Sequence, residues 1–97
     1  MRGTHVVAFF KAPDSERDLF AQGDQVLEAL LEAEAADPSV TDSTVSIDAE
    51  FGIVEAYAPG LPKAEGESRI VDRINDAVRS TVGLAREHRA ERVVEYA

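Results

Sequence analysis

The residues of this 97-residue chain with chemistry to offer are two histidines, two tyrosines and a surplus of carboxylates. An imidazole can serve as a general base or a metal ligand near neutral pH. His5 opens an apolar run near the N-terminus, and His88 lies in the arginine-rich C-terminal region. The two stand at opposite ends of the chain with no second His or Asp at ligand spacing, so they make no metal signature. Nineteen acidic residues in 97 make close carboxylate pairs unavoidable, so no pair by itself points to acid–base catalysis. No phosphate-binding glycine loop, dinucleotide fingerprint or Gly-x-Ser-x-Gly elbow is present. The absence of cysteine excludes disulfides, thiol catalysis and thiolate metal sites. The sequence therefore predicts no catalytic residue, no cofactor and no metal. His5 and Tyr57 are the candidates for contact with a ligand.

These side chains must be placed by a small set of elements. Val6, Ala8 and Phe10 alternate with His5, Val7, Phe9 and Lys11, which predicts a strand from about Thr4 to Ala12. Ser15, with Asp18 three residues on, resembles a capping box for a helix from about Ser15 to Ala36. The apolar stripe of that helix reads Leu19, Phe20, Val26, Leu27, Leu30 and Leu31. Gly23 lies on the stripe and marks close packing, a bend or a break. Asp37-Pro38 ends the helix. Strands are predicted at about Asp42 to Asp48 and Ile53 to Ala58, joined by a short link, Ala49 to Gly52, as an antiparallel hairpin. A second helix opens at Glu65-Gly66-Glu67-Ser68 and is expected to run to about His88. Its stripe is Ile70, Val71, Ile74, Val78, Val82 and Ala85. His88 then reads as a cation at the negative helix end. The tail RVVEYA reads as a fourth strand, although RAER before it has helical character.

The order strand, helix, strand, strand, helix, strand predicts one domain over residues 1–97. Its class is α+β with a ferredoxin-like βαββαβ arrangement: a four-stranded antiparallel sheet with both helices on one face. The usual strand order of that fold, four-one-three-two, makes the first and third strands central neighbours. The alternation sends Val6, Ala8, Phe10, Val54 and Ala56 toward the helices. His5, Val7, Phe9, Lys11, Ile53, Glu55 and Tyr57 then fall on the open face, with Thr44, Ser46 and Asp48. Val7, Phe9, Ile53 and Tyr57 form the candidate interface, an apolar patch large enough in a small chain to have a partner.

Charge restricts that partner. The chain carries a formal net charge of −9, a field that repels phosphate backbones and anionic lipid. Twelve acids and one base fall between Asp14 and Glu55, whereas six arginines and four acids lie between Arg69 and Arg92. The first helix is therefore expected to meet the second as acid meets arginine. The apolar run Val6 to Phe10 is too short for a signal core or a membrane span. The expectation is a cytoplasmic protein with no membrane and no nucleic-acid partner.

The stretch DAEFGIVEAY, Asp48 to Tyr57, bears on the last point. Aligned on Gly52, it approaches the third-strand motif of RNA-recognition domains. Phe51 and Val54 fit. Ile53 and Ala56 stand where aromatics stack on bases, no cation precedes the glycine, and Glu55 opposes phosphate.

Two resemblances add to this reading. HVVAFFKAPDSERDLF, under a quarter of the chain, resembles the start of stress-responsive dimeric α+β-barrel proteins. That likeness implies a ferredoxin-like fold, dimerisation by sheet faces and, as in some of those proteins, an enclosed pocket used for small-molecule binding or cofactor-independent oxidation. LLEAEAADPSVTDSTVSIDAEFGIVEA, about a third of the chain, is similar to small acidic α/β proteins of high-GC actinobacteria, a group that brings no activity with it. The resulting expectation is a non-enzymatic module that forms a homodimer or binds a protein partner through the open sheet face. A dimeric small-molecule binder or enzyme is the alternative.

Overall fold

The computed structural model describes residues 3–11, 19–48, 51–82 and 87–96. The elements are β1 (Gly3–Lys11), α1 (Leu19–Ala36), β2 (Thr41–Asp48), β3 (Phe51–Pro59), α2 (Lys63–Val82) and β4 (Glu87–Tyr96). They form one antiparallel sheet in the order β2-β3-β1-β4. This is the ferredoxin-like βαββαβ arrangement, with β1 and β3 at the centre. The expected capping box at Ser15 and the link residues Ala49 and Glu50 lie outside the described residues.

The core lies between the sheet and the two helices. Val6, Ala8 and Phe10 from β1 and Val54, Ala56 and Ala58 from β3 are buried there, with Val26 and Leu30 of α1 and Ile70, Ile74, Ala77 and Val78 of α2. The period of two in the strands is the direct cause, because alternate residues project to the same face. Thr4 completes the β1 row on this side, and its hydroxyl donates to the Leu61 carbonyl at 3.0 Å. A Cβ on Gly66 would stand 2.4 Å from that hydroxyl oxygen, so α2 can sit this close to β1 only with glycine there.

Several expectations are corrected. Gly52 is not a hairpin exit but a strand residue, opposite Phe10 on one side and Ile47 on the other. The Phe10 ring occupies the space a side chain would need, 2.2 Å from a Cβ built on Gly52. The second helix is described only to Val82, and His88 lies on β4 opposite Phe10, not at a helix end. Pairing with β1 overrides the helix-forming residues of this segment. The tail is a strand, and it starts earlier than its sequence suggests.

The α1 stripe also divides. Val26 and Leu30 are fully buried, whereas Phe20 is 70% exposed and Leu31 51% exposed. Gly23 marks close packing: a Cβ there would meet Ile47 Cδ1 at 3.1 Å and Val45 Cγ1 at 3.4 Å. That contact places α1 over β2. Val40, in the turn before β2, is buried although no periodic pattern announced it.

Polar contacts tie the layers together. Arg73 of α2 donates to the Asp37 carbonyl at 2.9 Å and the Val40 carbonyl at 3.5 Å, and it pairs with the Asp37 carboxylate at 3.2 Å. Asp37 in turn accepts from the Ser39 amide at 3.1 Å. That hydrogen bond, with help from Arg73, holds its carboxyl below the ordinary carboxylate range. The expected meeting of acid and arginine between the helices is thus made at the end of α1. At the start of α2, the Lys63 amide donates to Glu95 Oε1 at 2.8 Å. A strand carboxylate thereby satisfies one of the free amides at the positive helix end.

Candidate functional site

The face of the sheet turned away from α1 and α2 carries all the predicted interface residues. Val7, Phe9, Ile53 and Tyr57 lie on it, half-buried by their strand neighbours. The register makes rows across the sheet. Phe9 stands opposite Ile53, Val7 between Glu55 and Arg92, and His5 between Tyr57 and Val94. Toward the β2 edge the rows end in Ser46 beside Ile53 and Thr44 beside Glu55. The sequence thus placed Val7, Phe9, Ile53 and Tyr57 on one surface, and the fold brings them together at its centre.

His5 and Tyr57 form the ordered part of this surface. As direct cross-strand partners they stack, with ring centroids 4.3 Å apart and planes 9° from parallel. His5 Nε2 donates to Glu55 Oε1 at 3.2 Å. The His5 side chain retains 13% exposure and the Glu55 side chain 43%. Tyr57 also meets the edge of Tyr96 at 6.1 Å and 73°. Tyr96 can occupy that place because its β1 partner is Gly3, where a Cβ would stand 2.4 Å from the phenol ring. The result is a chain of contacts, Tyr96 to Tyr57 to His5 to Glu55, at one end of the face. Phe9 and Ile53 lie in the row at the other end, with Val7 between.

Chemically, a carboxylate beside an imidazole orients it and fixes which nitrogen carries the proton. Here both the ring face and Nε2 of His5 are engaged by neighbours, which holds the ring in place. Among the described residues no group of three His, Asp or Glu side chains is arranged to hold a metal ion.

Sequence reasoning missed Tyr96 and Val94. Both belong to the alternation Arg92, Val94, Tyr96 on the open face, while Val93 and Glu95 turn toward the helices. That parity follows from the pairing with β1, which contains a register shift between Val7 and Ala8. It also missed the His5–Glu55 pair, although both residues fall on this face in the sequence pattern; the signal was their diagonal placement, Glu55 standing two residues along β3 from Tyr57, the direct partner of His5.

The helix side carries shallow grooves. One is lined by Asp37, Glu65, Asp72 and Asp76 around Arg69 and Arg73, and another by Gln25, Glu28 and Glu32 opposite Ser80 and Thr81. Of the arginines between Arg69 and Arg92, Arg79 is exposed on α2 and Arg86 lies outside the described residues. No described helix is long and apolar enough to cross a membrane.

The chain matches no family model and no curated protein. Among solved structures it is similar to a de novo designed protein with a ferredoxin fold, determined by solution NMR. The TM-score is 0.50 and the identity 17%, covering 95% of this chain and 87% of that one. That likeness concerns the fold alone.

Proposed function

We propose that this chain is a small, acidic, non-enzymatic cytoplasmic module that self-associates through its open sheet face, or binds a protein partner there. The observation that carries the reading is the cluster of Val7, Phe9, Ile53 and Tyr57 on the two central strands of a face that neither helix covers. Four strands at about 4.8 Å spacing and eight residues at about 3.3 Å rise outline roughly 500 Å² of projected face. This is of the order of the ~800 Å² per partner in a standard interface.

Charge supports one geometry over others. Glu55 and Arg92 flank Val7 in a single row. A two-fold axis parallel to β1 puts each Glu55 opposite the second copy's Arg92. An axis across the strands would put Glu55 against Glu55. The resemblance of the opening stretch to proteins that dimerise by their sheets points the same way.

Light scattering coupled to size exclusion tests the reading. The expected result is a discrete dimer that Phe9→Asp and Tyr57→Asp convert to a folded monomer. A parent chain that stays monomeric at millimolar concentration, and captures no partner through this face, overturns it.

A second reading is favoured by the His5–Glu55 pair and its stacked Tyr57. In a face-to-face dimer these side chains would line the seam, as in a small-molecule binder or a cofactor-independent enzyme of the α+β-barrel kind. Its test is a ligand screen by NMR shifts at His5 and Tyr57; shifts that do not concentrate on those two residues dismiss it.

A further inference from the structure

The α1 stripe that the core did not absorb lies over the β2 border of the sheet. Among the described residues β2 pairs only with β3. The side of α1 that lines the groove with α2 contains Gln25, Glu28, Ala29 and Glu32. Gly23 faces β2. With about 100° per residue, Phe20, Leu27 and Leu31 fall on the flank opposite α2, beyond Gly23. That flank overhangs the outer side of β2, which no other described strand pairs. Phe20 and Leu31 are exposed there and Leu27 is half-buried.

Edges in natural sheets are blunted with lysine, proline or bulges. The other edge, β4, carries Arg89 and Arg92 in its sequence. β2, TDSTVSID, has no lysine, arginine or proline. Its one interruption is a register shift between Thr41 and Thr44, where Asp42 takes a φ of 54°. From Thr44 to Asp48 the pairing with β3 is regular, so the outer side of that segment offers regular backbone donors and acceptors.

We propose that this edge is a strand-addition site for an extended segment of a partner protein in which apolar and cationic residues alternate. Main-chain hydrogen bonds to Thr44–Asp48 would supply the pairing, as in other strand-addition complexes. Alternate side chains on the helix side would meet Phe20, Leu27 and Leu31. Those on the other side would lie beside Thr44 and Ser46. Charge selects the cation. α1 and β2 together carry six carboxylates and no basic residue, so a second copy offering the same strand would bring like charge against like. This surface is distinct from the open face, and its test reads it separately.

The probe is a capped seven-residue peptide of alternating lysine and valine, titrated into the full chain and followed by amide NMR and hydrogen exchange. The expected result is shifts and slowed exchange confined to Thr44–Asp48 and the Phe20–Leu31 flank, weakening as salt is raised. Replacing lysine by glutamate in the peptide, or Phe20 and Leu31 together by Gln, should weaken binding by about tenfold or more, the scale of a lost anchor. Both residues are exposed, so the double variant should keep the fold. The proposal is overturned by no binding at millimolar peptide, equal binding of the glutamate peptide, no effect of the double variant, or shifts centred on Phe9 and Ile53. Slowed exchange of β2 amides on concentrating the protein alone also overturns it, because a second copy would then be the occupant.

Discussion

The imidazole of His5 lies flat against the phenol of Tyr57, 4.3 Å between centroids, while its Nε2 donates to Glu55 on the same strand as Tyr57. One β1 side chain is thus held by two alternate residues of β3. A double-mutant cycle on His5→Ala and Tyr57→Ala is expected to give a coupling of about 0.5–1.5 kcal/mol, the range for paired rings. Urea unfolding measures it, and strict additivity would mean that the stack contributes nothing beyond proximity.

Glu55 and Arg92 offer a test of orientation within the proposed dimer. Arg92→Glu should yield monomer, and adding Glu55→Arg should restore the dimer by exchanging the two charges. If the double variant stays monomeric while folded, the axis parallel to β1 is wrong. Loss of the His5 contact in that variant is monitored by the unfolding midpoint.

Glycine substitutions separate two kinds of close approach. Gly52→Ala drives a methyl into the Phe10 ring, which is fully buried, and should cost about 1–3 kcal/mol by overpacking. Gly23→Ala meets the flexible end of Ile47 instead. The helix gains about 0.5–1 kcal/mol from replacing glycine, so the net change should be small. Thermal or chemical unfolding of both variants checks the ranking.

Arg73 holds the end of α1 to α2. Arg73→Ala leaves the Asp37 and Val40 carbonyls and the Asp37 carboxylate without this donor. The expected loss is about 1.5–3 kcal/mol, the scale for hydrogen bonds involving a charged group. Arg73→Lys should recover little, because one ammonium cannot reproduce the planar fork.

Asp37 gives the pH dependence a direction. Its folded carboxyl titrates below the ordinary value of 3.8, first because Ser39 donates to it and further because Arg73 lies beside it. A depressed folded value means that the contribution is complete above the unfolded value and is lost as pH falls through the folded one. The stability difference between the parent chain and Asp37→Asn should therefore be largest near neutral pH and shrink on acidification below about pH 4. A difference that grows in acid would reverse this assignment.

The topology was legible because β1 and β3 alternate cleanly. Val6, Ala8 and Phe10 against Val7 and Phe9 leave one way to bury a strand face, and Val54 and Ala56 repeat the choice. Phe20 and Leu31 were misread because a helical stripe wide enough to include them fits two orientations of α1. Only the contact of Gly23 with Val45 and Ile47 decides between these. The early start of β4 was hidden because its first residues suit a helix locally, and its partner β1 is distant in sequence. The place of Tyr96 depended on Gly3, which does not mark itself as a neighbour of the tail.

The place of β1 has a consequence for how the molecule is assembled. It precedes the other described elements in the chain, yet it lies in the middle of the sheet between β3 and β4, with Gly3 opposite Tyr96. On the ribosome β1, α1, β2 and β3 can emerge in turn, but one border of β1 must wait for the last strand. A chain stopped before Glu87 would leave that border open beside fully formed apolar rows. Completion of the sheet thus depends on the contact most distant in sequence, the kind that slows folding and exposes unpaired strands to other chains.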